Sequence, residues 1–334
     1  MNYEIVATLG PSSCTEDMWR KMISSGATAF RLNTSHIGVQ ELLRWLERLA
    51  PFLDSLDPRP PVVLDLQGSK WRLGDFPPHD LHAGGSIELV HAAAAAGRDI
   101  LPVPHPDFFD AAPLSGGEIA LNDAGIVLAV ESVSSGSVRA RVVKGGRISS
   151  RKGITYPLSS YRSESLQEKD LEILRLTAHF DAVLYAVSYV KDGEEMAGYR
   201  SIIGDSAYLI AKLERETAID DAAGISLSAD ELWVCRGDLG AEMGHAGMAC
   251  AVHRFSDMLK EIQPPVLLAG QVLEHMSAHS APTRSEVCCL LDALSRGYRG
   301  FVLSDETAVG KYPEESCRAA ALFLAYPSAA KICG

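Results

Sequence analysis

The sequence predicts an α/β fold, a (β/α)8 TIM barrel with a small all-β lid domain inserted after the third strand. Two observations lead to this prediction. Eight short apolar runs alternate with segments of helical periodicity, which is typical of βα units with buried parallel strands. One interval, at about 75–152, breaks that alternation. A doubly wound sheet has the same alternation, but a count of eight strands favours the barrel.

The predicted barrel strands are four to seven residues long and mostly aliphatic. In chain order they are 4–8, 27–32, 61–66, 182–188, 208–213, 231–235, 266–269 and 300–303. Segments of helical periodicity separate most of them, at 16–24, 39–50, 166–177, 246–261, 284–296 and 313–324. We therefore assign residues 1–74 and 153–334 to the barrel domain.

The interrupting interval has short alternating strands instead, at 86–90, 118–121, 126–130 and 138–143. Gly, Ser and Asn-Asp turn signals separate them. They predict a barrel-like lid domain over residues 75–152. The alanine run at 92–96 is predicted to be a loop or a short helix.

Composition excludes several classes of protein. The net charge of −12 argues against nucleic acid or an anionic membrane as partner. No apolar stretch could span a bilayer, and a strand begins at Glu4, which leaves no room for a signal peptide. Seven cysteines without a Cys-x-x-Cys pair indicate neither a zinc knuckle nor a redox motif. We expect a cytoplasmic protein that acts on small-molecule substrates.

The carboxyl ends of the predicted strands carry the candidate site, because chemistry in such barrels gathers there. Glu214 and Asp238 follow neighbouring strands, and two carboxylates with substrate oxygens and waters suit Mg2+ or Mn2+. Lys212 shares a strand face with Glu214 and could stabilise charge that develops during transfer. Alternatively, Lys212 and Glu214 form a structural ion pair.

Two further features have a functional and a plain interpretation. In the stretch RGDLGAE at 236–242, the glycines could let the loop hold a ligand against Asp238, or the loop is an ordinary turn with a capping aspartate. Arg31, Arg72 and Lys152 suggest a clamp for phosphate or carboxylate, or they are solvated surface charges. No P-loop, dinucleotide fingerprint or nucleophile elbow occurs.

A series of motifs resembles the pyruvate kinase family over nearly the whole chain, in the family's order. The matching pieces are IVATLGPSS at 5–13, FRLNTSH at 30–36, SRKG at 150–153, AKLE at 211–214, RGDLGAEM at 236–243, PTRSEV at 282–287 and LSDETAVGKYP at 303–313. The resemblance implies a barrel under a mobile lid, with Mg2+ (or Mn2+) and ADP/ATP as co-substrate.

The resemblance also implies a role for each matching residue. It makes Glu214 and Asp238 the metal ligands and Lys212 the lysine that stabilises the transferring phosphoryl group. The remaining roles are phosphate contact by Arg31 and Arg72, nucleotide contact by His36, Lys152 and Asn33, and substrate binding by the backbone of Gly237 and Asp238 and by position 270.

The resemblance further implies a monovalent-cation site at Asn33, Ser35 and Asp65. Lys70 stands where the family has a glutamate, as in its potassium-independent branch. We therefore expect potassium not to be required.

Three departures qualify the resemblance. The chain stops at Gly334, without the family's C-terminal domain, so effector regulation is not expected, and a homo-oligomer would have to form through barrel contacts. Gly270 replaces the threonine that serves proton delivery to the enolate, so the proton must come from water or another group. Asp305 replaces a glycine and is either a substrate contact or a solvated turn residue.

Three functions are compatible with these residues. The first is Mg2+-dependent phosphoryl transfer between phosphoenolpyruvate and ADP. The second is a specialised paralogue that uses another phosphoryl acceptor, or that decarboxylates or condenses a 2-oxo acid. The third is a non-catalytic binding protein, which the retention of two carboxylates and a lysine disfavours.

Overall fold

The computed structural model describes residues 1–111, 117–122, 124–156 and 165–325. Within these ranges the chain forms two compact units. The first unit comprises the described residues of 1–67, 166–236 and 250–334, and the second comprises those of 68–165 and 237–249. The boundaries at 74/75 and 152/153 drawn from the sequence stay a prediction.

The first unit is built on a closed barrel of eight parallel strands, which confirms the predicted fold class. The strands are Glu4–Thr8, Ala29–Asn33, Val62–Leu66, Val183–Val187, Leu209–Leu213, Glu231–Cys235, Val266–Ala269 and Gly300–Leu303. Each pairs with the next along the chain, and the first pairs with the eighth in the register Glu4 to Gly300.

Helices follow the strands, as the periodicity predicted. The longer ones are Glu16–Ser24, Val39–Asp54, Glu168–Thr177, Gly193–Ile203, Arg236–Met258, Arg284–Arg296 and Pro313–Ala320. Short helices lie at Glu216–Asp220, Ala222–Ser226 and Asp305–Ala308, with 3-10 turns at Pro11–Ser13 and Glu274–Ser277. The helix predicted at 246–261 begins ten residues earlier and kinks at Gly244, where φ is 73°.

Local sequence signals explain several helix ends. The Thr283 hydroxyl accepts a hydrogen bond from the amide of Glu286, whose carboxylate accepts in return from the amide of Thr283. This capping box satisfies two amides that the first helical turn leaves unpaired. The same helix ends at Gly297, which is left-handed with φ 117°. Glycine adopts this conformation without strain.

Alternation along the strands sorts the barrel interior into layers. Small and large side chains fill the middle layer, among them Val6, Ala29, Ala186, Ile210 and Trp233. Trp233 is completely buried and is the largest of them. Strand residues two positions further on point the same way and include the charged residues of the candidate site.

The second unit has its own sheets and core. A six-stranded sheet has the order Ile154–Thr155, Glu118–Leu121, Ile126–Ser134, Ser137–Lys144, Ser86–His91 and Ile100–Val103. A two-stranded sheet pairs His79–Leu81 with Gly146–Ile148, and one short helix spans Pro106–Ala111. The alanine run is a loop. The buried core includes Trp71, Leu89, Phe108 and Leu128.

No helix in the described ranges has both the length and the apolar character needed to cross a membrane.

Candidate active site

Asp65, at the end of the third barrel strand, is the centre of a buried network of charges in the first unit. The Nε and Nη2 atoms of Arg31 both donate to Asp65 Oδ2, Nε at 2.9 Å. Lys212 Nζ reaches the same oxygen at 3.1 Å, while the Ser188 hydroxyl donates to Oδ1 at 3.0 Å. Burial by itself raises the pKa of Asp65, but Lys212 and Arg31 outweigh it and hold the pKa well below its usual range.

Lys212 has an acceptor for each of its three ammonium protons. These acceptors are Ser188 Oγ at 2.9 Å, Asp65 Oδ2 at 3.1 Å and Glu214 Oε1 at 2.9 Å. Burial lowers the pKa of Lys212, but the negative charges of Asp65 and Glu214 prevail and raise it above its ordinary value. Lys212 is therefore a permanent cation, and the ion pair with Glu214 predicted as an alternative is present.

Glu214 is a buried carboxylate whose orientation the backbone fixes. Its Oε2 accepts a hydrogen bond from the amide of Tyr189 at 2.8 Å. Tyr189 has a left-handed backbone with φ 66°, which is uncommon for a residue with a side chain. The Arg215 guanidinium lies over its ring, 5.4 Å from the centroid. Such outer contacts are what hold carboxylate ligands of metals in place.

Arg31 has a second anchor, Thr8, which was not predicted from the sequence. Its Nη1 donates to the Thr8 hydroxyl at 2.8 Å, and that hydroxyl donates to the carbonyl of Leu303 at 2.6 Å. Of the five N–H groups of a guanidinium, three are used in these contacts, counting those to Asp65. The other two have no acceptor in the described part of the chain and could bind an anion.

The loops after the second and third strands are tied to the helix Glu168–Thr177. Lys169 donates to the carbonyls of Thr34 and Ile37 at 2.5 and 2.7 Å, and the completely buried Asp170 accepts from the amide of Gln67 at 3.1 Å. Lys169 and Asp170 were not predicted as functional, because only the tertiary structure brings them to these loops.

The first of these loops carries the predicted residues Asn33, Ser35 and His36. The Asn33 side-chain oxygen accepts from the amide of Ser35 at 3.1 Å, and the Asn33 carbonyl accepts from the amide of His36 at 3.2 Å. Ser35 is buried, whereas His36 is exposed. The loop is therefore held by its own turn and by Lys169 together.

In the second unit, Lys70 and Asp238 form an ion pair. Lys70 Nζ lies 2.5 Å from Asp238 Oδ1, and both side chains are about nine-tenths buried. A Cβ atom at Gly153 would lie 2.8 Å from Cε of Lys70, so glycine leaves the space that this lysine occupies. Gly237 lies beside Asp238 in the first turn of the helix Arg236–Met258.

Arg72 is a buried guanidinium with an unsatisfied donor. Its Nη1 donates to the carbonyl of Arg151 at 3.0 Å, but its Nε is buried without a partner in the described part of the chain. An unpaired buried donor is costly, which indicates a ligand oxygen there. Lys152 is half-buried, and its carbonyl accepts from the amide of Leu73 at 2.9 Å.

The arginine of RGDLGAE, Arg236, holds the turn after the seventh strand. Its Nε and Nη2 donate to the carbonyls of Gly270 and Gln271, both at 3.0 Å, and its Nη1 lies 3.4 Å from Cys289 Sγ. Gly270 and Gln271 are both left-handed, with φ of 80° and 52°. The turn thus depends on a glycine and on Arg236.

Glu306 holds the same turn from another side. Its carboxylate, which is completely buried, accepts from the amides of Leu273 at 2.9 Å and Ser304 at 2.7 Å. Burial raises the pKa of Glu306, although these backbone donors lower it in part. Its neighbour Asp305 is exposed.

The candidate residues thus fall into groups. Arg31, Asp65, Lys212 and Glu214 share one network in the first unit, Lys70 and Asp238 pair in the second, and Gly270 lies in the turn held by Arg236. In the described ranges, no three His, Cys, Asp or Glu side chains are grouped so as to hold a metal ion. A metal would therefore rest on one or two carboxylates with substrate oxygens and waters, a donor set that suits Mg2+.

Comparison with known proteins identifies the family. The family model described as the pyruvate kinase barrel domain matches residues 1–317. The chain belongs to the pyruvate kinase family. Pyruvate kinases of Methylorubrum extorquens and Agrobacterium vitis are 34% and 32% identical over 94% of this chain. That of Mycobacterium tuberculosis is 32% identical over the same share.

The chain spans about two thirds of the length of these relatives, from 65% for the Agrobacterium vitis protein to 68% for the Mycobacterium tuberculosis one. Among solved structures, a pyruvate kinase from Cryptosporidium parvum matches with a TM-score of 0.80 and 23% identity. The match covers 96% of this chain and 68% of that one, and it shows a shared fold.

Proposed function

We propose that this chain transfers a phosphoryl group between phosphoenolpyruvate and ADP. Membership of the pyruvate kinase family supports the reaction class, and its curated relatives bear that name. The observation that carries the proposal is Lys212, a buried permanent cation bonded to Ser188, Asp65 and Glu214. Phosphoryl transfer needs fixed charge more than covalent chemistry, and this network supplies it.

The metal ligands in this proposal are Glu214 and Asp238. Both are carboxylates, and the amide of Tyr189 already orients Glu214. When bound, Mg2+ (or Mn2+) would neutralise charge on the phosphoryl oxygens. Asp238 also forms the ion pair with Lys70, through its Oδ1 atom.

The arginines would bind the phosphoryl group. Arg31 retains two N–H groups beyond its bonds to Asp65 and Thr8, and Arg72 has a buried Nε that lacks a partner in the described ranges. Guanidinium groups match phosphate geometry. A phosphate could bind to these N–H groups while the ion pair between Arg31 and Asp65 stays intact.

The remaining roles follow the family pattern. We propose His36, Lys152 and Asn33 for the nucleotide phosphates of ADP/ATP, and the backbone of Gly237 and Asp238 with Gly270 for the substrate carboxylate. We also propose that the protein is cytoplasmic and that barrel contacts could support a homo-oligomer.

A potassium-independent reaction is part of the proposal. The support is chemical: Lys70 provides an ammonium group next to Asp238, and Asn33, Ser35 and Asp65 are the other residues of the cation-like site. Rates measured in sodium and potassium buffers of equal ionic strength should agree. An absolute requirement for potassium would contradict this expectation.

The direct test is 31P NMR of the protein with phosphoenolpyruvate, ADP and Mg2+ in potassium-free buffer. We expect ATP at an enzyme-dependent rate, and its loss in Lys212→Met. Lys21→Met is the matched control, because Lys21 is exposed and its ion pair is with Asp17 of the same helix. Phosphoenolpyruvate that stays intact with the wild-type protein would refute the proposal.

Gly270 favours a second candidate function. It replaces the threonine implied by the family pattern and leaves more room at the turn. A specialised paralogue could use another phosphoryl acceptor, or carry out decarboxylation or aldol chemistry on a 2-oxo acid. If phosphoenolpyruvate stays intact, release of CO2 from 2-oxo acids in the presence of Mg2+ would support this candidate.

A further inference from the structure

Cys235, the last residue of the sixth barrel strand, points into the barrel. It lies two positions after Trp233, so both side chains share one face of the strand. It packs in the interior cluster with Ala186, Trp233 and Ala269, and 7% of the residue is exposed. The thiol is thus inside the barrel at the carboxyl ends of the strands.

The thiol lies beside the cations of the proposed site. Arg31 and Lys212 follow Ala29 and Ile210 of the interior cluster by two positions, as Cys235 follows Trp233, so the three side chains lie in one layer of the barrel interior. The electrostatic interaction with Cys235 also helps to raise the pKa of both cations. It is also in register with Ala269 on the seventh strand, directly before Gly270. Cys235 therefore shares a layer with Arg31 and Lys212 and lies beside the strand that leads into the turn at Gly270.

The proposed reaction requires an acid. Loss of the phosphoryl group leaves an enolate, and its terminal carbon must gain a proton. The ammonium protons of Lys212 are already donated to Ser188 and to the carboxylates of Asp65 and Glu214, and Asp65 is ionised. The hydroxyls of Thr8 and Ser188 donate to Leu303 and Asp65.

The Cys235 thiol, by contrast, is an uncharged acid. Cys235 Sγ lies 3.6 Å from the carbonyl of Trp233, and a thiol is a weak hydrogen-bond donor. A thiol is also a stronger acid than an aliphatic hydroxyl, and the neighbouring cations would stabilise the thiolate left behind. The Cys235 thiol is therefore a stronger acid than the hydroxyls of Thr8 and Ser188.

We propose that Cys235 is the general acid that protonates the enolate carbon. The S–H bond breaks and a C–H bond forms with the electron pair of the enolate, which gives the methyl group of pyruvate. The thiolate remains next to Arg31 and Lys212 and regains a proton from water. This inference rests on the proposed phosphoryl transfer and assigns its final step.

The first experiment follows the reverse proton transfer. Wild-type protein with pyruvate, Mg2+ and ATP in D2O should exchange the methyl protons for deuterium, observed by 1H NMR. In Cys235→Ala we expect this exchange to fall by about 10²–10⁴-fold, and in Cys235→Ser to fall less, because a hydroxyl remains. Cys288→Ala, at an exposed cysteine, should match the wild type.

A second experiment separates proton delivery from folding and from transfer. Phosphoenolpyruvate carrying one deuterium at C3 is converted in tritiated water, and the chirality of the methyl group is determined. The wild type should protonate one face, whereas Cys235→Ala should release the enolate and give racemic product. Tm values for both variants within a few degrees of the wild type establish that they fold.

The outcomes distinguish the two proposals. Wild-type exchange rates and a single face in Cys235→Ala would overturn the role of Cys235 and leave phosphoryl transfer intact. ATP formation by the wild type without pyruvate exchange would also overturn it. Failure of the wild type to form ATP from phosphoenolpyruvate would refute the proposed function itself.

Discussion

At the scale of single residues, Asp65 balances the buried charges of the barrel. It is the shared acceptor of Arg31, Lys212 and Ser188. Its lowered pKa means that the ionised form stabilises the fold. That contribution is present above the pKa of the unfolded chain, about 4, and is lost as pH falls towards the lower folded value.

Asp65→Asn should therefore destabilise the protein at neutral pH. The amide keeps the shape but leaves two buried cations without their shared charge, which costs about 3–5 kcal/mol. Urea unfolding at pH 7 measures the loss. Asp80→Asn is the matched control, because its pair with Arg147 is exposed and should contribute less than about 0.5 kcal/mol. Equal effects of the two substitutions would contradict the role given to Asp65.

Glu231, at the opposite end of the barrel interior, should make stability depend on pH in the other direction. Burial raises its pKa to about 7; bonds from Trp233 and Tyr208 lower it in part, whereas Glu4 raises it. Because the pKa is raised in the folded state, the protonated carboxyl of Glu231 favours folding. This contribution is complete below about pH 4 and is lost as pH rises to 7. The loss amounts to roughly 3 kcal/mol.

Glu231→Gln should remove this loss, since an amide can still accept from Trp233 and bond to Tyr208 without ionising. Above pH 7 the variant should be more stable than the wild type, and below pH 4 it should not. Unfolding curves between pH 4 and 8 decide the question. Glu47→Gln, at an exposed helix position, should leave the pH dependence unchanged.

At the scale of elements, the turn after the seventh strand determines what residue 270 can be. Gly270 has φ 80°, a conformation that a β-branched residue rarely adopts. Gly270→Thr should therefore cost about 1–3 kcal/mol and should not simply restore a proton donor. Gly198→Ala is the control: it lies within the helix Gly193–Ile203 with open space around it, and should gain about 0.5–1 kcal/mol. A stable, faster Gly270→Thr variant would contradict this expectation.

The elements also show what sequence can and cannot predict. Buried parallel strands such as 231–235 and 266–269 were predicted with their observed bounds. A short apolar run between two turn signals is a local pattern that predicts a buried strand by itself. The helix at 193–203 was missed, since its apolar periodicity is weak and its start depends on the cap of Asp192. Side-chain hydrogen bonds are harder still to predict. Those of Thr8, Lys169 and Arg236 are made to residues far away in the sequence, which only the folded barrel brings close.

At the scale of the whole molecule, the two units have separate hydrophobic cores, so their stabilities should respond separately. Leu128→Ala, at a fully buried position of the six-stranded sheet, should cost about 2–5 kcal/mol. Hydrogen exchange by mass spectrometry should then speed up in peptides covering 118–144 and stay slow at 209–213.

Leu232→Ala, on the sixth barrel strand, provides the reciprocal test. It removes an equally buried leucine from the first unit and should accelerate exchange at 209–213 but not at 118–144. Uniform acceleration by either variant would mean that both units unfold in one cooperative step.

Trp233 lies between two ends of the barrel interior that can change independently in evolution. The ionisable Glu231 lies on one side of it along the strand, and Cys235 with Arg31 and Lys212 lies on the other. Four residues of strand, about 13 Å, separate Glu231 from Cys235, and the charged group that shifts the pKa of Glu231 is Glu4. A lineage could therefore adjust the pH range it tolerates and the chemistry it performs through independent mutations on the same strand.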